Sequence, residues 1–279
     1  MLSYQHGYHA GNFADVHKHM IMVWVLQALN RKAKPWSYLE THAGAARYDF
    51  TDEQSQKTGE YKTGIARLWS RNDLPAQVQA YLDQVRVLNP SGALEAYPGS
   101  PLIAQQMSRE GDNLAVMELH SGEYQRLRHT FRAGGRLAVH HRDGYEGVAA
   151  LLPPKPNRGV VLIDPAYEVK TEYQHVAKFI VQQYPRWSNG TYAIWYPILK
   201  AGQHEEMLHM LKHSGIRNIF RSEFYVQPAG FERMRGSGMV LINPPWQIDQ
   251  QVAEVMPWLA RVLAAAGAAE PLHEWLVPE

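Results

Sequence analysis

Four consecutive residues near the middle of the chain carry groups that could do chemistry together: Asp164, Pro165, Ala166 and Tyr167. They follow Val160-Val161-Leu162-Ile163, an apolar run with three β-branched members that reads as a buried strand of a parallel sheet. Ligands of open α/β sheets bind beyond the carboxyl ends of strands, so the tetrapeptide lies where chemistry is expected. An exocyclic purine amine is a poor nucleophile, because its lone pair is delocalised into the ring. Hydrogen bonds from that amine to the Asp164 carboxylate and the Pro165 carbonyl would localise the pair for attack on a methyl group. Tyr167 would stack on the base, a contact worth about 1–3 kcal/mol. Taken alone, the tetrapeptide reads equally well as an Asp-Pro turn with a surface tyrosine.

Other strand ends add candidates. Residues 36–41 read as a first strand running into His42-Ala43-Gly44-Ala45-Ala46, small residues that bring a backbone close to a nucleotide-like ligand. One glycine falls short of a dinucleotide fingerprint. Glu118 ends a strand over 114–117 and suits two ribose hydroxyls, which need a carboxylate acceptor; the alternative is a solvated loop acid. Asp143, after a strand over 136–140, could read an adenine edge together with neighbouring N–H groups, or cap a helix.

The elements that must hold these residues alternate. Asn12 can cap a helix over 13–31 whose second half, 20–26, is apolar all round and therefore buried on several sides. Residues 50–97 carry helical patterns and no convincing strand, which predicts a helical insertion subdomain within one domain made of 1–49 and 98–279. Beyond it, Ser100 and Ser121 are expected to cap helices, and a helix runs to Leu152. The central strand comes next, then helices near 176–184 and 205–213. Strands are expected near 191–196, 219–226 and 238–242. The fold class is α/β, a Rossmann-like, doubly wound sheet of about seven strands.

Composition excludes several classes. The 279 residues are 45% hydrophobic and 20% charged, ordinary for a chain that can bury a core. A net charge of +1 supplies no global field, so a polyanion would need a local basic patch; Arg126, Arg128, Arg132 and Arg136, and Arg233 with Arg235, are candidates. The absence of cysteine removes disulfides and thiolate chemistry. No signal-peptide core and no apolar run of spanning length occurs, which predicts a cytoplasmic protein with no membrane association. His6, His9, His17 and His19 complete no recognised metal spacing, so no metal is expected, and capping or substrate contacts account for them better.

The Asp-Pro-X-Tyr strand end, the Gly44 turn, Glu118 and Asp143 resemble an S-adenosylmethionine-dependent adenine-N6 methyltransferase. Leu2-Ser3-Tyr4-Gln5-His6, His9-Ala10-Gly11-Asn12, Ala14-Asp15, Lys18-His19 and Thr41-His42-Ala43-Gly44 narrow it. With Tyr97-Pro98-Gly99-Ser100-Pro101, Trp275 and Val277-Pro278-Glu279, essentially the whole chain resembles the RlmJ type, which methylates one adenine of 23S ribosomal RNA. The resemblance implies a class I methyltransferase fold and S-adenosylmethionine as cofactor. It implies that His19, His42, Ser100, Glu118, Asp143, Gly144 and Asp164 hold the donor, with Gly44 and Lys18 beside it. Asp164, Pro165 and Tyr167 form the catalytic motif, with Asp164 as proton acceptor; Tyr4, His6, Lys18 and Tyr167 face the 23S rRNA substrate. No obligate protein partner is evident, and a monomer is expected. The family motif has proline where this chain has Ala166, which loosens the turn. Asn243-Pro244-Pro245-Trp246 spells the general amino-methyltransferase pattern more fully, but it follows the last expected strand, with no donor-binding acid after it. Two other readings stand beside this one: a nicotinamide-dependent oxidoreductase, and an RNA-binding homologue whose turnover Ala166 has impaired.

Overall fold

The computed structural model describes residues 4–132 and 137–279; Leu2, Ser3 and Arg136 lie outside the described residues. Helix α1 (Phe13–Asn30) starts where expected, with the Asn12 side chain accepting from the N–H groups of Ala14 and Asp15. Every residue from Ala14 to Leu26 is buried: the apolar run 20–26 requires it, and Asp15, His17, Lys18 and His19 are buried with it.

Strand β1 (Ser37–Glu40) follows, one residue later than expected. The next stretch corrects the sequence reading. Strands β2 (Arg47–Asp49) and β3 (Ala96–Pro98) pair antiparallel, and each is too short to show an alternation. Between them run α2 (Glu53–Thr58), α3 (Ala66–Trp69) and α4 (Ala76–Arg86). Ile65, Leu68, Val78, Tyr81, Leu82 and Val85 from this stretch pack into the same core as α1.

Then come α5 (Ser100–Met107), β4 (Asn113–Met117), α6 (Ser121–Thr130), β5 (Leu137–His140), α7 (Gly144–Leu151) and β6 (Gly159–Ile163). The chain continues through α8 (Glu172–Gln183), β7 (Thr191–Ile198), α9 (His204–Lys212), β8 (Ile219–Tyr225) and β9 (Gly236–Ile242). Helix α10 (Ile248–Leu263) and strand β10 (Leu272–Val277) lie past the last expected strand. Two caps differ from expectation: Gly99 and His120, not Ser100 and Ser121, occupy the N-cap positions of α5 and α6.

The sheet has eight strands in the order β10-β8-β9-β7-β6-β1-β4-β5. From β5 to β7 all neighbours are parallel, whereas β9 runs antiparallel to both β7 and β8, and β10 antiparallel to β8. This is the doubly wound order with one reversed strand inserted, the class I methyltransferase fold, extended at one edge by β10. Alternate residues of β6 serve different cores: Val160 and Leu162 pack with α1 and α10, Val161 and Ile163 with α7, α8 and α9. Burial on both faces explains the continuous apolar run. No helix among the described residues is long and apolar enough to cross a membrane.

Candidate active site

Strand β1 pairs with β4 on one side and β6 on the other, so the chain leaves their carboxyl ends in opposite directions and opens a crevice there. A cavity of about 490 Å³ fills the crevice, a size suited to a small ligand. Tyr4, His6, Lys18, His19, His42 and Gly44 line it, and so do Ser100, Glu118, Asp143, Gly144, Asp164, Pro165 and Tyr167. Residues named at separate strand ends and in the N-terminal segment thus meet on one surface.

At the β6 end, Lys18 Nζ donates to Asp164 Oδ2 at 2.5 Å and lies 3.1 Å from Asp15 Oδ1. Burial works against the Lys18 charge, yet Asp164 and Asp15 hold its ammonium above the usual lysine range. Asp15 is a hub that the sequence reading missed. Its Oδ2 accepts from the Gly11 N–H at 2.9 Å and pairs with His6 Nε2 at 2.8 Å, while His6 Nδ1 meets the Tyr4 hydroxyl at 2.8 Å. Burial opposes the Asp15 charge, but His6, Lys18 and His19 hold its carboxyl well below the usual range. Its signal was in the sequence: Lys18 and His19 follow at three and four residues, the spacing of one helix face.

Tyr167 adopts a left-handed backbone with φ of 51°, and its hydroxyl donates to the Trp195 carbonyl at 2.7 Å. Its ring packs against Tyr173 and Trp195 and is buried rather than free at the surface. Tyr167 is therefore a fixed wall of the cavity. Lys18 Nζ sits 5.4 Å from the centre of the Trp195 ring, a cation–π contact on the same wall.

The other end of the cavity is built from backbone. Glu118 Oε2 accepts from the Gly44 N–H at 2.8 Å and Oε1 from the His120 N–H at 2.6 Å, which orients the carboxylate despite burial that pushes its pKa up. Asp143 caps α7 by accepting from the Glu146 N–H, so the capping role read from sequence is present. Gly144 lies so close to β1 that a Cβ would stand 1.9 Å from the Thr41 carbonyl oxygen. Gly44 has φ of +60°, where a side chain would be strained. His42 binds the Thr41 hydroxyl, and burial lowers its pKa, which keeps the ring neutral. The Ser100 hydroxyl donates to Glu40, a fully buried carboxyl at the end of β1 that burial raises to about 8. Glu40 was missed, although an acid closing a strand expected to be buried was itself a signal.

His19 Nδ1 meets the Tyr97 hydroxyl at 2.8 Å, and burial depresses its pKa to about 3. His17 points elsewhere, bridging Ser237 and Ser222 in the core. His9 pairs with Glu60. Arg126 belongs to a neighbouring groove with Arg47 and His129, while Arg235 lies over the Tyr225 ring. The Asn243 to Trp246 motif is remote from the cavity. β9 runs against β7, and Asn243 binds the carbonyls of Ser188 and Gly190 at the amino end of β7.

Comparison with known proteins points one way. A family model described as ribosomal RNA large subunit methyltransferase D, RlmJ, matches residues 33–277. The chain is similar to the ribosomal RNA large subunit methyltransferase J of Escherichia coli K12, at 47% identity over 100% of both chains. It is similar to the protein of the same name from Haemophilus influenzae, at 44% identity over 100% of both. Among solved structures, protein LPL1258 from Legionella pneumophila matches with a TM-score of 0.89 at 35% identity, covering 96% of this chain and 98% of that one.

Proposed function

This chain belongs to the RlmJ family of ribosomal RNA large subunit methyltransferases, and on that premise we propose that it methylates N6 of one adenine in 23S ribosomal RNA. The observation that carries the reading is that the Asp164-Pro165 strand end and the Glu118 and Gly144 backbone cradle share one cavity. The residues fit S-adenosylmethionine. Glu118 is held by two N–H bonds with a lone-pair direction left on each oxygen, and the close approach of Gly144 leaves a backbone surface next to Asp143. Glu118, Asp143, Gly144, His42 and Ser100 would hold the nucleoside and amino-acid parts, and the bound cofactor would supply an electrophilic methyl group on a sulfonium.

The protein's own contribution lies at Asp164. Its carboxylate and the Pro165 carbonyl accept the two amine hydrogens, turning the nitrogen lone pair toward the methyl group. To reach Asp164 Oδ2 the amine must displace Lys18, which Asp15 is placed to receive at 3.1 Å. Lys18 is already protonated, so the proton released after transfer goes to Asp164 and not to the lysine. The base must leave its stack to enter, at a cost of a few kcal/mol. We place this activity in the cytoplasm with no membrane partner, and treat residues 50–97 as a helical insertion subdomain packed on the core that carries α1.

The test is transfer of labelled methyl from S-adenosylmethionine to a 23S rRNA transcript, with mass mapping of the product. The expected product is N6-methyladenine at one position, absent with Asp164→Ala. Equal incorporation by both proteins, or label on another base, would overturn the proposal.

A further inference from the structure

Glu123 stands at the third position of α6 and lines the active-site cavity at 3% exposure. Its Oε2 is buried and has no hydrogen-bond partner among the described residues, and its Oε1 is 3.8 Å from Arg126 Nη1. The local sequence accounts for the unused oxygen. A glutamate at this position ordinarily reaches back to the N–H of the capping residue. That residue is His120, and its N–H is already taken by Glu118 Oε1. Displaced from its capping bond, Glu123 keeps a buried oxygen that needs a donor from outside the protein. Glu118, on the other side of His120, has committed one lone pair of each oxygen to backbone.

We propose that Glu123 is a second ribose-binding carboxylate, which with Glu118 accepts the vicinal hydroxyls of the cofactor's ribose, one hydroxyl to each. This rests on reading the cavity as the S-adenosylmethionine site. Its place in the first turn of α6 sets Glu123 at the end of the helix dipole that favours an acidic side chain. A cationic group, such as the amino-acid ammonium of the cofactor, is the competing donor, and the test separates the two.

Calorimetry on the full chain uses S-adenosylhomocysteine, its 2′-deoxy and 3′-deoxy forms, and 5′-methylthioadenosine, which keeps the ribose but lacks the ammonium. In the wild-type protein, loss of either hydroxyl is expected to weaken binding about tenfold or more. Glu123→Gln is expected to weaken S-adenosylhomocysteine and methylthioadenosine alike by about tenfold, and to erase the penalty for one of the two deoxy forms. A purely structural role for Glu123 would leave that discrimination intact and overturn the proposal. So would a wild-type protein indifferent to one hydroxyl, a result that needs no variant to fold, or an effect of Glu123→Gln confined to S-adenosylhomocysteine. Wild-type protein that bound none of the four compounds would instead remove the cofactor reading on which the proposal stands.

Discussion

Lys18 and Asp164 are 146 positions apart in the chain, yet the Lys18 ammonium donates to the Asp164 carboxylate at 2.5 Å beneath a largely buried surface. One comes from the apolar helix α1 and the other from the end of β6, and the shared core under both sets the distance. In the proposed mechanism the pair occupies Asp164 Oδ2, an acceptor that the substrate amine would use. A second carboxylate, Asp15, holds the same ammonium, so the lysine can give way without losing its countercharge.

Replacing Lys18 by methionine tests whether the cation matters to the chemistry. Lys18 is the cation that hydrogen-bonds Asp164 and also holds Asp15, so its removal leaves two neighbouring carboxylates without their shared countercharge. Lys18→Met is expected to lower kcat about a hundredfold, while Lys18→Arg, which keeps the charge, retains more of it. An equal loss in Lys18→Met and Lys18→Arg, or a lowered Tm that accounts for it, would assign Lys18 to folding or RNA contact.

Asp164→Asn keeps the shape and removes the charge. The amide can accept one hydrogen but cannot take the proton, so kcat is expected to fall by about 10²–10⁴. S-adenosylhomocysteine affinity should change by less than about tenfold, because Glu118 and the Gly144 backbone are untouched. Single-turnover transfer and calorimetry on one preparation check both halves.

Gly144→Ala addresses the backbone cradle. A Cβ 1.9 Å from the Thr41 carbonyl oxygen cannot be housed unless α7 or the end of β1 moves. Overpacking of this kind costs about 1–3 kcal/mol, and the displaced α7 start should also weaken cofactor binding. A lower Tm together with weaker S-adenosylhomocysteine binding is expected; an unchanged Tm would show that the helix start yields freely.

Local patterns carried much of the fold and site. Val160 to Ile163, the turn at Gly44 and the acids at Glu118 and Asp143 each announce themselves within a few residues. Pairing partners do not: Gly236–Ile242 is buried along its whole length, and an apolar run reads the same in a parallel or a reversed strand. Helix α10 has clear helical spacing at Val252, Val255, Met256 and Leu259, but Pro257 inside it reads as a breaker. Strand β10 is an edge strand with Trp275 exposed, so burial leaves no alternation to read. Asp15, Glu40 and Glu123 went unread because their importance lies in partners contributed by other elements, or in a missing one.

Ala166→Pro introduces the second proline that the family resemblance implies at this position. The Ala166 N–H makes no main-chain hydrogen bond among the described residues, so proline would remove none. Where the backbone accepts it, this substitution stabilises by about 0.4–1 kcal/mol through the unfolded chain. Expected are a Tm raised by roughly 1–3 °C and a kcat within about twofold of the parent. A large gain in kcat would show instead that Ala166 leaves the natural turn too loose for full turnover.

Two buried histidines contribute to the acid limit of the fold. His17 is held between the Ser237 and Ser222 hydroxyls at 3.0 Å each, and burial depresses it to about 3. Burial depresses His19 to about 3 as well, with Lys18 and His6 adding to the effect and Asp15 opposing it. In the unfolded chain both rings take up protons near pH 6.5, whereas the native state keeps them neutral. The unfolded state therefore binds more protons across this window, and stability present above about pH 6.5 is lost as pH falls toward 3, with a slope of at most about 2.7 kcal/mol per pH unit for the two rings. Urea midpoints between pH 7 and pH 4 measure that slope. His17→Gln, whose amide can still bond both serines, should remove that ring's share of about 1.4 kcal/mol per pH unit at most, while a stability flat over this range would mean that both rings are protonated in the native protein.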